Sequence, residues 1–346
     1  MKKILSAIVA FVLLIGCISA SFVPSAVGIS LSAGKDALVS QWTKGKSGDI
    51  DYRYFSPVQN GGEIKKYPLV VMLHGKYSGS HEGEQITGTD FYKWSSSEFQ
   101  SRFSESGGAF LFAPRTPGGD TMTWANGGLQ DDLMAMLNGF ISENGEYIDR
   151  ERIYIIGWSM GGAGAVSLAS EYNGLFAAAV IIAPFDSVSQ SQVDRLKNTP
   201  VWLVTCTKDT TASHVTFAKP FWNKVIDSTN IPSYCRITTF SKYNYHDSGH
   251  HYVHFAVAND LLGQPSDCGM KTEDARGNRI NTSESESIIT WLSSQRLGKA
   301  SESNVCKCDC HSQKGWTSFV WSIKCFFWRL FGNDGKKYCS CGNAHW

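Results

Sequence analysis

The chain has 346 residues, 42% hydrophobic, 12% aromatic and 18% charged, and its 32 basic residues offset 31 acidic ones to a formal charge of +1. That balance argues against a nucleic-acid binder, which carries a basic excess or stripe, and the apolar content excludes a disordered chain. The length allows one large α/β domain or two smaller ones, with ample material for a core.

Met1-Lys2-Lys3 gives a basic start, and Ile4 to Gly16 is an apolar run too short to span a bilayer comfortably. The pattern is that of a secretory signal over residues 1–20, cleaved after Ala20. Leu14-Ile15-Gly16-Cys17 also resembles a bacterial lipobox, so release and lipid anchoring through Cys17 are both open. Either way the expected location is secreted or cell-surface. No later segment has the length and apolarity of a transmembrane helix.

A domain over residues 29–299 follows. Asp51 to Ser56 alternates as a strand does, and Leu69 to Leu73 is a continuous apolar run ending in His74-Gly75, which marks a buried strand. Ala109 to Ala113 is a second such run, stopped by Pro114. Leu129, Leu133, Leu137, Phe140 and Ile141 recur at helical spacing, closed by Gly145. Arg152 to Ile156 reads as a strand leading into Gly157, and Met160 to Glu171 as an Ala/Gly-rich helix. Ala178 to Ala183, Val201 to Thr205 and Cys235 to Phe240 are further strands, the last of them closing the sheet. The polar stretch Gln264 to Ser287 reads as a long loop, and Ser283 with Glu286 forms a capping-box pattern opening a helix from Ile288 to Leu297. Short apolar strands alternating with helices predict an α/β fold, a mostly parallel sheet with helices on both faces.

Gly157-Trp158-Ser159-Met160-Gly161 sits between a buried strand and a helix, the context of a nucleophile elbow. A serine on that strained bend leaves no room for side chains two positions to either side, and the helix N-terminus behind it offers the Met160 N–H to an oxyanion. The plainer alternative is a Gly-Ser connector. Serine needs a base and a carboxylate, supplied in this fold in the order Ser, Asp, His. Asp209, just past strand Val201 to Thr205, is the first choice and Asp186 the reserve; an Asp-initiated turn is the other reading of Asp209. After Cys235 to Phe240 come His246, His250, His251 and His254. His250 is preferred, because Gly249 precedes it and a helix from about Tyr252 would leave it loop-exposed; His246 and His251 are its rivals, and His254 falls within the helix. The loop His74-Gly75-Lys76 is placed to give the second oxyanion N–H, from Lys76 or Tyr77, while His74 has no expected proton-transfer role. Trp124, Trp158 and Tyr252 are candidate pocket walls, with core packing as the alternative.

These segments, PLVVMLHG (Pro68 to Gly75), APR with Trp124, IDRERIYIIGWSMGG (Ile148 to Gly162), TPVWLVTCTKD (Thr199 to Asp209) and SGHHY (Ser248 to Tyr252), resemble in order secreted bacterial α/β-hydrolases. The likeness is to the esterase, polyhydroxybutyrate-depolymerase and predicted-peptidase type, which includes feruloyl and acetylxylan esterases. It covers roughly residues 51–295. It implies a Ser159-His250-Asp209 hydrolase of carboxylic esters, small-molecule or polysaccharide-linked, without a catalytic metal or organic cofactor. A peptidase with the same triad and a silent surface-binding module are the alternatives. Two positions depart from the pattern: Lys76, where relatives often carry a small residue, and Thr-Cys-Thr-Lys before Asp209, where His-Gly is common.

From Ala300 the composition changes: six of the ten cysteines fall in the last 41 residues. Cys306, Cys308, Cys310, His311, Cys339, Cys341 and His345 are candidate ligands for a structural zinc, which takes four thiolates or imidazoles. Disulfides are the competing reading in an exported chain. Between them Trp316 to Phe331 forms an aromatic helix pattern, with Phe319, Ile323, Phe326 and Leu330 on one face. It is suited to packing within residues 300–346, to a membrane or envelope surface, or to a partner.

Overall fold

The computed structural model describes residues 34–58, 64–117, 123–125, 127–196, 199–228, 235–244, 248–263, 267–280 and 287–298. The leader with Cys17, His246, and the cysteine-rich residues 300–346 with their candidate zinc ligands lie outside the described residues.

The strands are β1 (Thr43–Ser47), β2 (Ile50–Phe55), β3 (Tyr67–Leu73), β4 (Phe110–Pro114), β5 (Ile148–Trp158), β6 (Ala178–Ile182), β7 (Val201–Cys206), β8 (Arg236–Phe240), β9 (Lys271–Asp274) and β10 (Arg279–Ile280). The helices are α1 (Lys35–Val39), α2 (Glu84–Thr87), α3 (Ser97–Ser101), α4 (Gly127–Glu143), α5 (Met160–Glu171), α6 (Gln190–Arg195), α7 (Lys219–Asp227), α8 (Gly249–Ala258) and α9 (Ile288–Ser293). One ten-stranded sheet runs β1-β2-β4-β3-β5-β6-β7-β8-β9-β10. Its middle, from β4 to β8, is parallel; antiparallel β1 and β2 close one side, antiparallel β9 and β10 the other.

The apolar runs are continuous because both faces of these strands are covered. Side chains alternate between two cores with the period of two that a strand imposes. Leu69, Val71, Leu73, Ile153, Ile155, Ala179, Ile181 and Leu203 pack under α4 and α5. Val70, Met72, Tyr154, Ile156, Trp158, Val180, Ile182, Trp202 and Val204 pack under α8 and α9. Each fully buried aliphatic contributes about 1.5–3 kcal/mol of transfer free energy. This is the α/β architecture expected from the sequence, with helices on both faces. Every parallel strand points the same way, so the loops after β3, β5, β7 and β8 gather at one edge of the sheet, where α/β proteins build their sites.

Three expectations need correcting. The sheet does not end at β8: the polar stretch after Gln264 contains the hairpin β9–β10, a signal too short and too polar to stand out, and β1 was hidden in the same way. A buried chain of bonds ties it in, since Trp202 donates to Thr238 Oγ1 at 2.9 Å and Thr238 Oγ1 bonds Thr272 Oγ1 at 2.8 Å. The last helix opens at Ser287, whose hydroxyl accepts from Thr290 N–H, and ends at Ser293; the Ser283–Glu286 pattern lies outside the described residues. The helix after β8 starts at Gly249, three residues earlier than expected, so His250 belongs to its first turn.

Candidate active site

β5 ends at Trp158 and α5 begins at Met160, leaving Ser159 alone on the bend with φ 56° and ψ −116°. A side-chain-bearing residue is held there only when its surroundings over-determine it. They do: Ser159 N–H donates to Ile182 O at 2.9 Å, and its carbonyl accepts from Ala163 N–H at 3.0 Å and Phe185 N–H at 3.2 Å. A Cβ on Gly157 would lie 2.0 Å from Gly161 O, and one on Gly161 would lie 2.2 Å from Leu73 O. Those two contacts are the physical content of the G-x-S-x-G spacing. Met160, the first residue of α5, belongs to the helix turn whose N–H groups have no intrahelical acceptor.

Asp209 follows β7, and both of its carboxylate oxygens are engaged. Its Oδ1 accepts from Thr211 and Ala212 N–H, each at 2.8 Å, forming the Asp-initiated turn. Its Oδ2 lies 2.8 Å from His250 Nδ1, with both side chains buried. An ionised carboxylate only accepts, so Nδ1 carries the proton and Nε2 keeps its lone pair.

His250 is therefore not loop-exposed. It is the second residue of α8 and only 4% exposed. Of its rivals, His251 is exposed and His246 lies outside the described residues; His254, in the same helix, turns into the core. The reserve acid Asp186 is exposed, its Oδ1 accepting from Ser187 N–H at 2.7 Å.

After β3 the chain turns at Gly75–Ser78, closed by Ser78 N–H to Gly75 O at 3.2 Å. Lys76 is exposed there, its ammonium 5.1 Å from the centre of the Tyr77 ring, and Tyr77 has φ 66°. His74 fixes this turn from beneath. Its Nε2 accepts from Thr116 N–H at 3.2 Å, so Nδ1 holds the hydrogen and donates to Gly75 O at 2.8 Å. Both ring nitrogens are thus engaged in holding the turn.

The candidate pocket walls are core. Trp124 is fully buried and donates to His74 O at 3.0 Å, and Tyr252 packs edge-on against Phe240. Trp158 is 6% exposed and ringed by imidazoles, stacked on His254 at 4.2 Å between centroids. Burial pushes the His254 imidazole down to about 3. Sequence reasoning missed an exposed aromatic whose backbone N–H bonds the Ser159 carbonyl: Phe185, 51% exposed, with its ring centroid 5.4 Å from that of Phe217. Its only trace is the Ala-Pro-Phe that follows β6.

Burial also raises the Cys206 thiol and pushes Cys235 up to about 12. Among the described residues no group of three or more His, Cys, Asp or Glu side chains is arranged to hold a metal ion, and no helix is long and apolar enough to cross a membrane.

Comparison with known proteins finds similar sequences and folds. Residues 130–260 match the family model described as PET hydrolase-like. Lipase 1 of Moraxella sp. (strain TA144) is 34% identical over 96 residues, 27% of this chain and 28% of the lipase. A thermostable esterase superposes with a TM-score of 0.56 at 23% identity, covering 75% of this chain and 64% of its own. A ferulic acid esterase covers 61% of this chain and 89% of its own, at 16% identity and a TM-score of 0.47. The chain spans less than two thirds of the lipase and of the thermostable esterase. It has the α/β fold of an esterase structure, and parts of its sequence are similar to hydrolases of the esterase and lipase type.

Proposed function

We propose that this protein is an exported serine hydrolase that cleaves carboxylic esters through an acyl-enzyme. Ser159 Oγ attacks the acyl carbonyl while His250 Nε2 takes its proton; the tetrahedral oxyanion rests on the N–H groups of Met160 and Lys76. The C–O bond to the alcohol then breaks, and His250 returns the proton to the departing oxygen. Water, deprotonated by the same imidazole, frees the acid and restores Ser159. Asp209 holds the imidazole in its productive tautomer throughout. The chemistry needs no metal or organic cofactor. The basic and apolar leader supports export.

One observation carries this reading: Ser159 sits on a strained bend at the sheet edge where Asp209 and His250 are joined by a hydrogen bond. The exposed Phe185 beside it favours acyl groups with apolar bulk. Purified protein is expected to hydrolyse p-nitrophenyl esters, and Ser159→Ala to lose about 10³-fold or more in kcat with its melting temperature kept. A fluorophosphonate should add to Ser159 and to no other residue. Turnover by the alanine variant equal to the parent would refute the assignment, and faster cleavage of peptide anilides than of esters would refute the substrate class.

A further inference from the structure

We infer that Trp158 is a positioning residue for the proposed hydrolysis: its indole braces the oxyanion turn and the base against each other, with His254 as its backing. The inference rests on the hydrolase reading above. Trp158 immediately precedes Ser159 and points to the α8 side of the sheet, where it touches the turn after β3 and His250.

On one edge lies the turn after β3. A Cβ on Gly75 would sit 2.7 Å from Trp158 Cε3, so the backbone of that turn lies directly on the indole. Toward α8, Trp158 Nε1–H donates to the carbonyl of His250 at 3.3 Å, and the two rings are 5.2 Å apart. The indole thus holds the base by its main chain, while Asp209 holds it by its side chain. His251 meets the indole at 5.7 Å.

The remaining face is taken by His254, one helical turn beyond His250, stacked at 4.2 Å and 18°. One His254 ring nitrogen bonds the backbone of Thr89, and its Nε2 is buried with no hydrogen-bond partner. Phe91 closes the cage at 5.7 Å. A buried imidazole with one nitrogen unused serves here as a flat ring, pressing the indole toward the oxyanion turn and His250. Displacements of about 1 Å at a reacting group cost about 10²-fold in rate, so a brace that sets such positions shows in kcat rather than in KM.

The test is steady-state hydrolysis of p-nitrophenyl butyrate, with the rate of fluorophosphonate labelling, by the parent, Trp158→Phe, His254→Ala and His254→Phe. Trp158→Phe removes the N–H and keeps a ring; kcat should fall about tenfold with KM changed less than about twofold, and labelling should slow by the same factor. His254→Ala should behave alike, and His254→Phe, which restores a flat ring, should recover the rate. A folded Trp158→Phe with the parent's kcat overturns the inference. So does an increase in KM at constant kcat, which would make the indole a substrate contact. If melting shows Trp158→Phe unfolded, His254→Ala decides alone, and parental kcat in it overturns the inference. A parent that is not labelled at Ser159 defeats the hydrolase reading itself, a distinct result.

Discussion

Asp209 spends one carboxylate oxygen on the backbone turn of Thr211 and Ala212 and the other on His250. The two roles can be separated. Asp209→Asn keeps an oxygen for the turn but presents an amide N–H₂ to the imidazole, which then places its own hydrogen on Nε2. We expect kcat to fall by about 10³–10⁴, as the inverted tautomer does in serine proteases, with the melting temperature nearly unchanged in a calorimetric scan. His254 gives a pH signature. Its folded pKa of about 3 lies below the ordinary histidine value because burial disfavours the cation. As pH falls below about 6.5 the unfolded chain therefore takes up a proton that the folded one refuses, and stability drops by up to about 1.4 kcal/mol per pH unit. His254→Phe should flatten the fall in chemical-denaturation midpoint between pH 7 and pH 5; an unchanged slope would exclude His254 as its source. The bend at Ser159 and the turn at Asp209 were legible in the sequence because strand ends and glycines mark them. The burial of His250 was not, because the helix starts at Gly249 rather than Tyr252 under the Ser248 cap, whose hydroxyl accepts from His251 N–H.

At the scale of elements, the parallel strands announced themselves as unbroken apolar runs, since both of their faces are covered. The hairpin β9–β10 did not. Lys271–Asp274 is largely polar and only partly buried, so neither periodicity nor hydrophobicity separates it from a loop. Its attachment is polar as well, through the Trp202–Thr238–Thr272 chain. Thr238→Val keeps the shape and removes the hydroxyl, leaving the Trp202 N–H buried without its acceptor. We expect a loss of about 1–3 kcal/mol in urea denaturation, with ester turnover intact in the folded fraction. A neutral result would mean that water replaces the hydroxyl. His74 shows the same limit at a strand end: its composition as part of His-Gly was readable, but its tautomer depends on Thr116, 42 residues away, and on nothing local.

For the molecule as a whole, the described fold closes on itself before residue 300. Leu297 N–H donates to Glu151 O at 2.8 Å, Tyr154 OH donates to Gln295 O at 2.9 Å, and Arg296 pairs with Glu105 at 2.7 Å and Asp149 at 3.3 Å. These contacts tie residues 295–297 back to β5 and to Glu105. A chain ending at Ala300 should express, melt within about 2 °C of the full chain and keep its kcat on short esters; loss of folding would place residues 300–346 inside the hydrolase unit.

The sequence alone determined the class of fold and the bend that carries Ser159, because these depend on strand and helix periods and on glycines that exclude side chains at fixed spacing. Tertiary structure decided which carboxylate oxygen meets which imidazole nitrogen, that Trp124, Trp158 and Tyr252 are core, and that two polar segments join the sheet edges. Those outcomes turn on contacts between residues far apart in the chain, where distance in space carries no trace in local pattern.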